Sequence, residues 1–320
     1  MSEAPRTVER EVSEGRQRPV RAWPRAAGLF GVVLATSVVR PGVLIAVPLL
    51  MLLAVDGLRG LRVAAAAAIA MLIVASGQRD GLWFAERAWA VLMGGGFLAL
   101  TLLVPSWALS SRALAAVLGA AVVAAGVLAL RTDAWVALDV AISDTVRAGF
   151  DGTIYMLSTM GGEEGLPPAL ETWLYEVADA EAAVYPAMTC LGSMAALGVA
   201  WWARTRLVGE GDQGVGPLRH FRFNDHLVWL LVAGLLLVVT QWGEALVRLG
   251  SNAVVFMGTL YALRGAAVFL FVSGGLSLLG FFTLVFGLLL AAPVLFGVAM
   301  LIGIGDTWLD IRARVGERTA

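Results

Sequence analysis

From Ala113 to Leu130 the chain reads ALAAVLGAAVVAAGVLAL, eighteen residues without one charged or hydrogen-bonding side chain. A helix of about that length crosses a hydrocarbon core of roughly 30 Å. Comparable apolar stretches fall at 26–55, 61–77, 82–104, 112–130, 184–204, 226–247, 252–273 and 276–305. Hydrophobic residues make up 59% of the 320 and charged residues 15%, too few charges to clothe a soluble domain. The expected fold is all-α: a polytopic transmembrane helical bundle of about 8–10 membrane segments, counting broken or re-entrant halves.

Two stretches are longer than a crossing requires. Thirty helical residues extend about 45 Å. Both 26–55 and 276–305 are also interrupted, by Arg40–Pro41 in VVRPGV and by Pro293 in LLAAPVLF. Proline removes a backbone donor and clashes with the preceding turn, so each stretch is expected to kink or divide. Charge supplies the orientation. Residues 1–25 carry six arginines and four glutamates, lack the apolar core of a cleavable signal, and read as a disordered cytoplasmic tail. Arg59 with Arg62, and Arg204, Arg206, Arg219 and Arg222, mark further connections for the inside. That placement requires 26–55 to go in and return as a hairpin or re-entrant pair. The C-terminus (Arg312, Arg314, Arg318) also belongs inside, yet three simple crossings after residue 222 leave it outside unless 276–305 divides. The regions are then the tail at 1–25, membrane helices at 26–130 and 184–305, an acidic extramembrane insert at 131–183 and a C-terminal tail at 306–320.

The insert holds ten acidic residues and two arginines. Asp139, Ser143, Arg147 and Asp151 recur every four residues, with Trp135, Leu138, Ile142 and Val146 between them. That is a helix with one polar stripe, most simply lying at the membrane surface. Leu170, Trp173, Leu174 and Val177 repeat the helical spacing after the GGEEGLPP turn.

FRFNDHLVWLL, residues 221–231, gathers polar and aromatic side chains just before an apolar run. Asn224 or Asp225 suits an N-cap, and Phe221, Phe223 and Trp229 suit the headgroup level. His220 and His226, six apart, face different ways and make a metal pair improbable. Charges inside the spans are the better lead, because burying one in lipid costs several kcal/mol. Arg264 lies near the middle of the 252–273 span with Tyr261 three residues earlier; Glu86, beside Arg87, is its expected partner. Glu244 and Arg248, four apart near the end of 226–247, are expected to pair with each other. Small residues at Ala27, Gly31 and Ala35 offer a helix-docking face, a weak signal in so alanine-rich a chain. No zinc-protease, nucleophile-elbow, nucleotide-loop or paired-cysteine motif is present, so no catalytic residue, metal or cofactor is assigned. A net charge of −1 gives no footprint for nucleic acid, and Cys190 is the lone cysteine.

PLRHFRFNDHLVWLL, GTLYALRGAAVFLF and GIGDTWLDIRAR together resemble the YybS-like family of predicted bacterial membrane proteins, a family without an assigned activity. The resemblance covers roughly residues 26–312 and implies a multi-spanning protein of the bacterial inner (cytoplasmic) membrane. Its layout is distantly similar to the substrate-binding subunits of energy-coupling-factor transporters, which dock on a separate energising module through small-residue faces. Ala27, Gly31 and Ala35 would then be that face. In the last motif, Asp306 and Asp310 repel one another, so each should seek an arginine or a backbone partner, with Trp308 at the interface. Two functions are compatible with these features. One is a transport-type protein that binds a small solute beside Arg264 and Glu86, the favoured reading; the other is a non-transporting scaffold or assembly factor docking another membrane protein. Transport needs convergent polar groups around a central void, whereas a scaffold is packed there.

Overall fold

The structure, a computed structural model, describes residues 42–55, 81–160, 166–208, 218, 221–275 and 277–319. Nine α-helices occupy the described residues: α1 (Gly42–Val55), α2 (Trp83–Leu103), α3 (Leu109–Leu130), α4 (Thr132–Met160), α5 (Pro168–Val208), α6 (Val228–Thr240), α7 (Glu244–Val272), α8 (Leu278–Leu309) and α9 (Ile311–Thr319). Five helical spans are long and apolar enough to cross a membrane: α2, α3, α5, α7 and the 289–309 part of α8. The expected all-α, multi-spanning class is what the chain adopts. Ala27, Gly31, Ala35, Arg40, Pro41, His220 and the 61–77 stretch lie outside the described residues.

Register fixes how the helices run. Trp89 Nε1 donates to Ser193 Oγ at 2.8 Å, and Phe97 meets Trp201 edge-on eight residues further along both helices, so α2 and α5 are parallel. Arg248 bonds the Ala182 carbonyl and Asn252 the Ala187 N–H, one turn further along both helices, placing α7 parallel to α5 as well. α6 runs against α7, with Gly234 facing Gly250 and Asp225 facing Arg264. The contacts Gly258–Met300, Tyr261–Gly303 and Arg264–Asp306 advance together, so the last part of α8 is parallel to α7. Consecutive helices can be parallel only if the chain between them returns. That return is the first part of α8, which breaks at Ala291 (φ −140°, ψ 37°), two residues before Pro293. The expected division of 276–305 is therefore present, and it brings the C-terminal helix back to the end that holds the 221–224 segment. Ser110 Oγ donates to the Arg222 carbonyl, Arg222 pairs with Asp310, and Arg312 donates to the Phe221 carbonyl. The α2–α3 turn, the 221–224 segment and the C-terminal helix thus share one end, called here the basic end.

The 226–247 stretch is not one helix. Gln241 (φ 47°) and Gly243 (φ 129°) turn the chain sharply, which ends α6 at Thr240 and starts α7 at Glu244. Gly234 and Gly250 let the two helices touch backbone to backbone: a Cβ on Gly250 would stand 2.7 Å from the Gly234 carbonyl oxygen. The expected Glu244–Arg248 pair is accordingly replaced. Arg248, now in the second turn of α7, reaches Asp139 of α4 at 2.5 Å and lies over the Trp135 ring.

At the far end, α5 has no break where the insert was expected to stop. It continues from Pro168 to Val208, about 60 Å of helix, so its acidic first half extends a membrane span. α4 packs antiparallel along it, burying Ile142 and Val146 against Ala178 and Ala182. The polar stripe of α4 faces partners: Arg147 bonds Asp179, and the Tyr175 hydroxyl donates to Asp151. The latter bond holds the Tyr175 hydroxyl's pKa above its ordinary value. Pro186 cannot donate to the Ala182 carbonyl, which instead accepts from Arg248. One residue on, the Asn252 amide accepts from the Ala187 N–H and donates to the Ala183 carbonyl, both at 2.8 Å. A side chain of α7 is thereby spliced into the hydrogen-bond ladder of α5.

Candidate functional site

Arg264 is 2% exposed and two turns from the basic end of α7, nearer that end than the mid-span position expected of it. Glu86 is not its partner, since that residue lies in the first turn of α2, toward the opposite end. The side chains that meet Arg264 come from both flanks in sequence. Its Nε donates to Asp306 Oδ2 at 2.9 Å and its Nη1 to Asp225 Oδ1 at 2.5 Å. Arg312 Nη2 donates to the same Asp306 oxygen at 2.8 Å, and Arg222 pairs with Asp310 beside them. Three arginines meet three aspartates, so the cluster carries no net charge. Asp306 is 1% exposed; the Asp225 carboxylate, 59% exposed, opens one side to the surroundings.

Local structure explains the arrangement. Asn224 takes the cap, accepting from the His226 N–H at 3.0 Å, which frees Asp225 for Arg264. Phe223 is buried, against the headgroup placement expected of it, and meets Tyr261 edge-on at 5.2 Å while the guanidinium sits 5.5 Å from its ring centre. Asp310 adopts a left-handed conformation (φ 41°) that ends α8 and swings Arg312 back over Asp306. The expectation that Asp306 and Asp310 each find an arginine is met, and Trp308 is exposed. Close approach completes the site: a Cβ on Gly265 would overlap the Ala299 carbonyl oxygen, and one on Gly303 the Tyr261 carbonyl oxygen. Such direct backbone contact is how helices associate without a hydrophobic drive.

Of the residues singled out for an intramembrane site, the structure brings Arg264 and Tyr261 together. Arg87 instead donates to the Trp83 carbonyl and stacks 3.9 Å from that ring. Glu244 is exposed at the start of α7. The cluster members Asp225 and Asp306 were legible as a cap and an arginine-seeking carboxylate, whereas their meeting at Arg264 was not. Asp306 Oδ1 is buried without a partner, and the Tyr261 hydroxyl lies beside Thr307 with no hydrogen bond of good geometry. Among the described residues no group of His, Cys, Asp or Glu is arranged to hold a metal.

The three motifs that carried the resemblance are thus the three segments that build the cluster. A family of predicted membrane proteins, DUF2232, matches residues 28–307. The chain belongs to that family. The match takes in Asp225, Arg264 and Asp306 and stops short of Asp310 and Arg312. No curated protein and no solved structure matches the chain. In this DUF2232 protein, what the arrangement does chemically is fasten: it ties the start of α6, the last third of α7 and the end of α8 with charge-assisted bonds, the inner ones buried.

Proposed function

We propose that the protein is a non-enzymatic, multi-pass scaffold of the bacterial inner membrane that docks another membrane protein. The observation that carries this reading is the closure of the Arg264 cluster. A solute-binding arginine needs an open face toward a void. Here Arg264, Asp306 and Arg312 use their charges on one another, and helix backbones touch on the adjoining face. A second reading, solute binding as the membrane subunit of a transporter, draws on one specific observation. Asp306 Oδ1 and the Tyr261 hydroxyl are buried polar atoms without bonds, the kind of groups a small polar guest satisfies.

The test is gentle purification of tagged protein from its native membrane, with mass spectrometry of everything retained. A stoichiometric membrane-protein partner and no solute supports docking. One solute in stoichiometric amount, or an ATPase with a coupling subunit, moves the protein to the transport class. Arg264→Ala separates the same alternatives: as a fastener its loss removes folded protein from the membrane, whereas a solute ligand's loss leaves folded protein that binds nothing.

A further inference from the structure

Arg112 is buried differently from the other arginines. It is 8% exposed, its Nε has no hydrogen-bond partner, and among the described residues no carboxylate pairs with it. Arg264 and Arg312, equally buried, share Asp306. Among the described residues Arg112 has only a ring: its guanidinium carbon stands 5.0 Å from the Trp201 ring centre, and Arg204 stands 4.8 Å from the same centre. A ring face attracts a cation without neutralising it, and a second arginine adds repulsion. Guanidinium cannot shed its proton to relieve the cost. Among the described residues no carboxylate supplies the countercharge, and an anion from outside the chain can supply it.

Two further features place it. Arg112 sits in the first turn of the 22-residue α3, whose N-cap, Ala108, offers no side-chain bond and whose first turn holds no acid. Side chains lean toward a helix's N-terminus, which carries the guanidinium toward the end of α3 that presents unbonded N–H groups, a pairing that suits an anion. Exposed Trp107 precedes α3 by two residues, exposed Trp202 follows Trp201 in α5, and exposed Leu102 and Leu103 end the preceding α2, a composition that suits headgroup depth.

We propose that Arg112 and the N-terminus of α3, with Arg204 adding charge across Trp201, bind the phosphodiester of an anionic phospholipid. The planar guanidinium fork matches two phosphate oxygens, and the acyl chains find the apolar end of α2.

Native mass spectrometry of the full-length protein, stripped of lipid and titrated separately with phosphatidylglycerol, phosphatidylcholine and inorganic phosphate, tests this. Phosphatidylglycerol should bind roughly five- to tenfold more tightly than phosphatidylcholine, and inorganic phosphate should not displace it. Arg112→Gln should bring the ratio near one, while Arg206→Gln, an exposed position nearby, leaves it unchanged. Should Arg112→Gln fail to fold, Ala108→Asp serves instead. Ala108 is exposed and extended (φ −58°, ψ 148°), so an aspartate there caps α3 and places a carboxylate in the site. That variant should melt higher without lipid and lose the preference. A wild-type ratio near one, or a preference that survives in folded Ala108→Asp protein, overturns the proposal. Displacement by inorganic phosphate overturns the lipid assignment.

Discussion

Asp306 accepts from two arginines through one oxygen and leaves the other bare. Asparagine is nearly the same shape, but Asp306→Asn leaves two buried guanidinium groups facing one exposed carboxylate. Removing one partner of a buried pair costs about 3–5 kcal/mol. We expect the variant to be lost from the membrane or to melt far below wild type in detergent. Tyr261→Phe deletes a hydroxyl that makes no good bond, so it should change stability by less than about 1 kcal/mol. A large drop for Tyr261→Phe would mean that the hydroxyl has an essential partner. The need of each aspartate for an arginine or a backbone partner could be read from GIGDTWLDIRAR alone, because like charges four apart on a helix cannot satisfy each other. Which arginine answers could not. That depends on the offset between α7 and α8, and capping already explained Asp225 well enough to hide its second role.

Helix pairing turns on a few glycines. A methyl at Gly265 meets backbone rather than a yielding side chain, so Gly265→Ala has to push α7 and α8 apart and strain the Arg264 bonds between them. Overpacking of this kind costs about 1–3 kcal/mol, at the upper end when backbone must move. Gly119→Ala is the control: nothing stands within 4 Å of a Cβ there, and the gain in helix propensity predicts a rise of roughly 0.5–1 kcal/mol. Thermal melts of both variants in one detergent decide the matter, and equal shifts would refute the close-contact account. These glycines were present in LRGAAV and LIGIG, but 37 glycines in 320 residues bury the meaningful spacings among chance ones. The TQWG turn was hidden similarly, since its two hydrophilic residues sit inside a window that is apolar on average. Pro293, by contrast, announced its kink from sequence because a missing N–H acts wherever it falls.

Among the described residues the two ends carry opposite excess charge. Arg112, Arg204, Arg206, Arg222, Arg312 and Arg314 gather at one, while Asp144, Asp151, Glu171, Glu176 and Glu181 occupy the helical projection at the other. By the positive-inside rule we expect the first end to face the cytoplasm. In a Cys190→Ser background, Asp151→Cys should react with an impermeant maleimide on intact cells. Arg206→Cys should react only after the membrane is opened; the reverse pattern would invert the topology. The fold class was legible because hydrocarbon thickness sets segment length. Parity was not, because it hinges on a return leg within one continuous apolar stretch.

The splice of Asn252 into α5 also bears on the order in which the protein is made. The ribosome delivers Ala183 and Ala187 respectively 69 and 65 residues before the amide that bonds them, a wait of roughly 3–14 s at ordinary elongation rates. Until then α5 reaches the bilayer with its ladder open beside Pro186, a state that lipid tolerates poorly. Completion of the fifth helix is therefore expected to wait until residue 252 is made, and chains truncated before that residue should expose the gap to proteases or be removed by quality control.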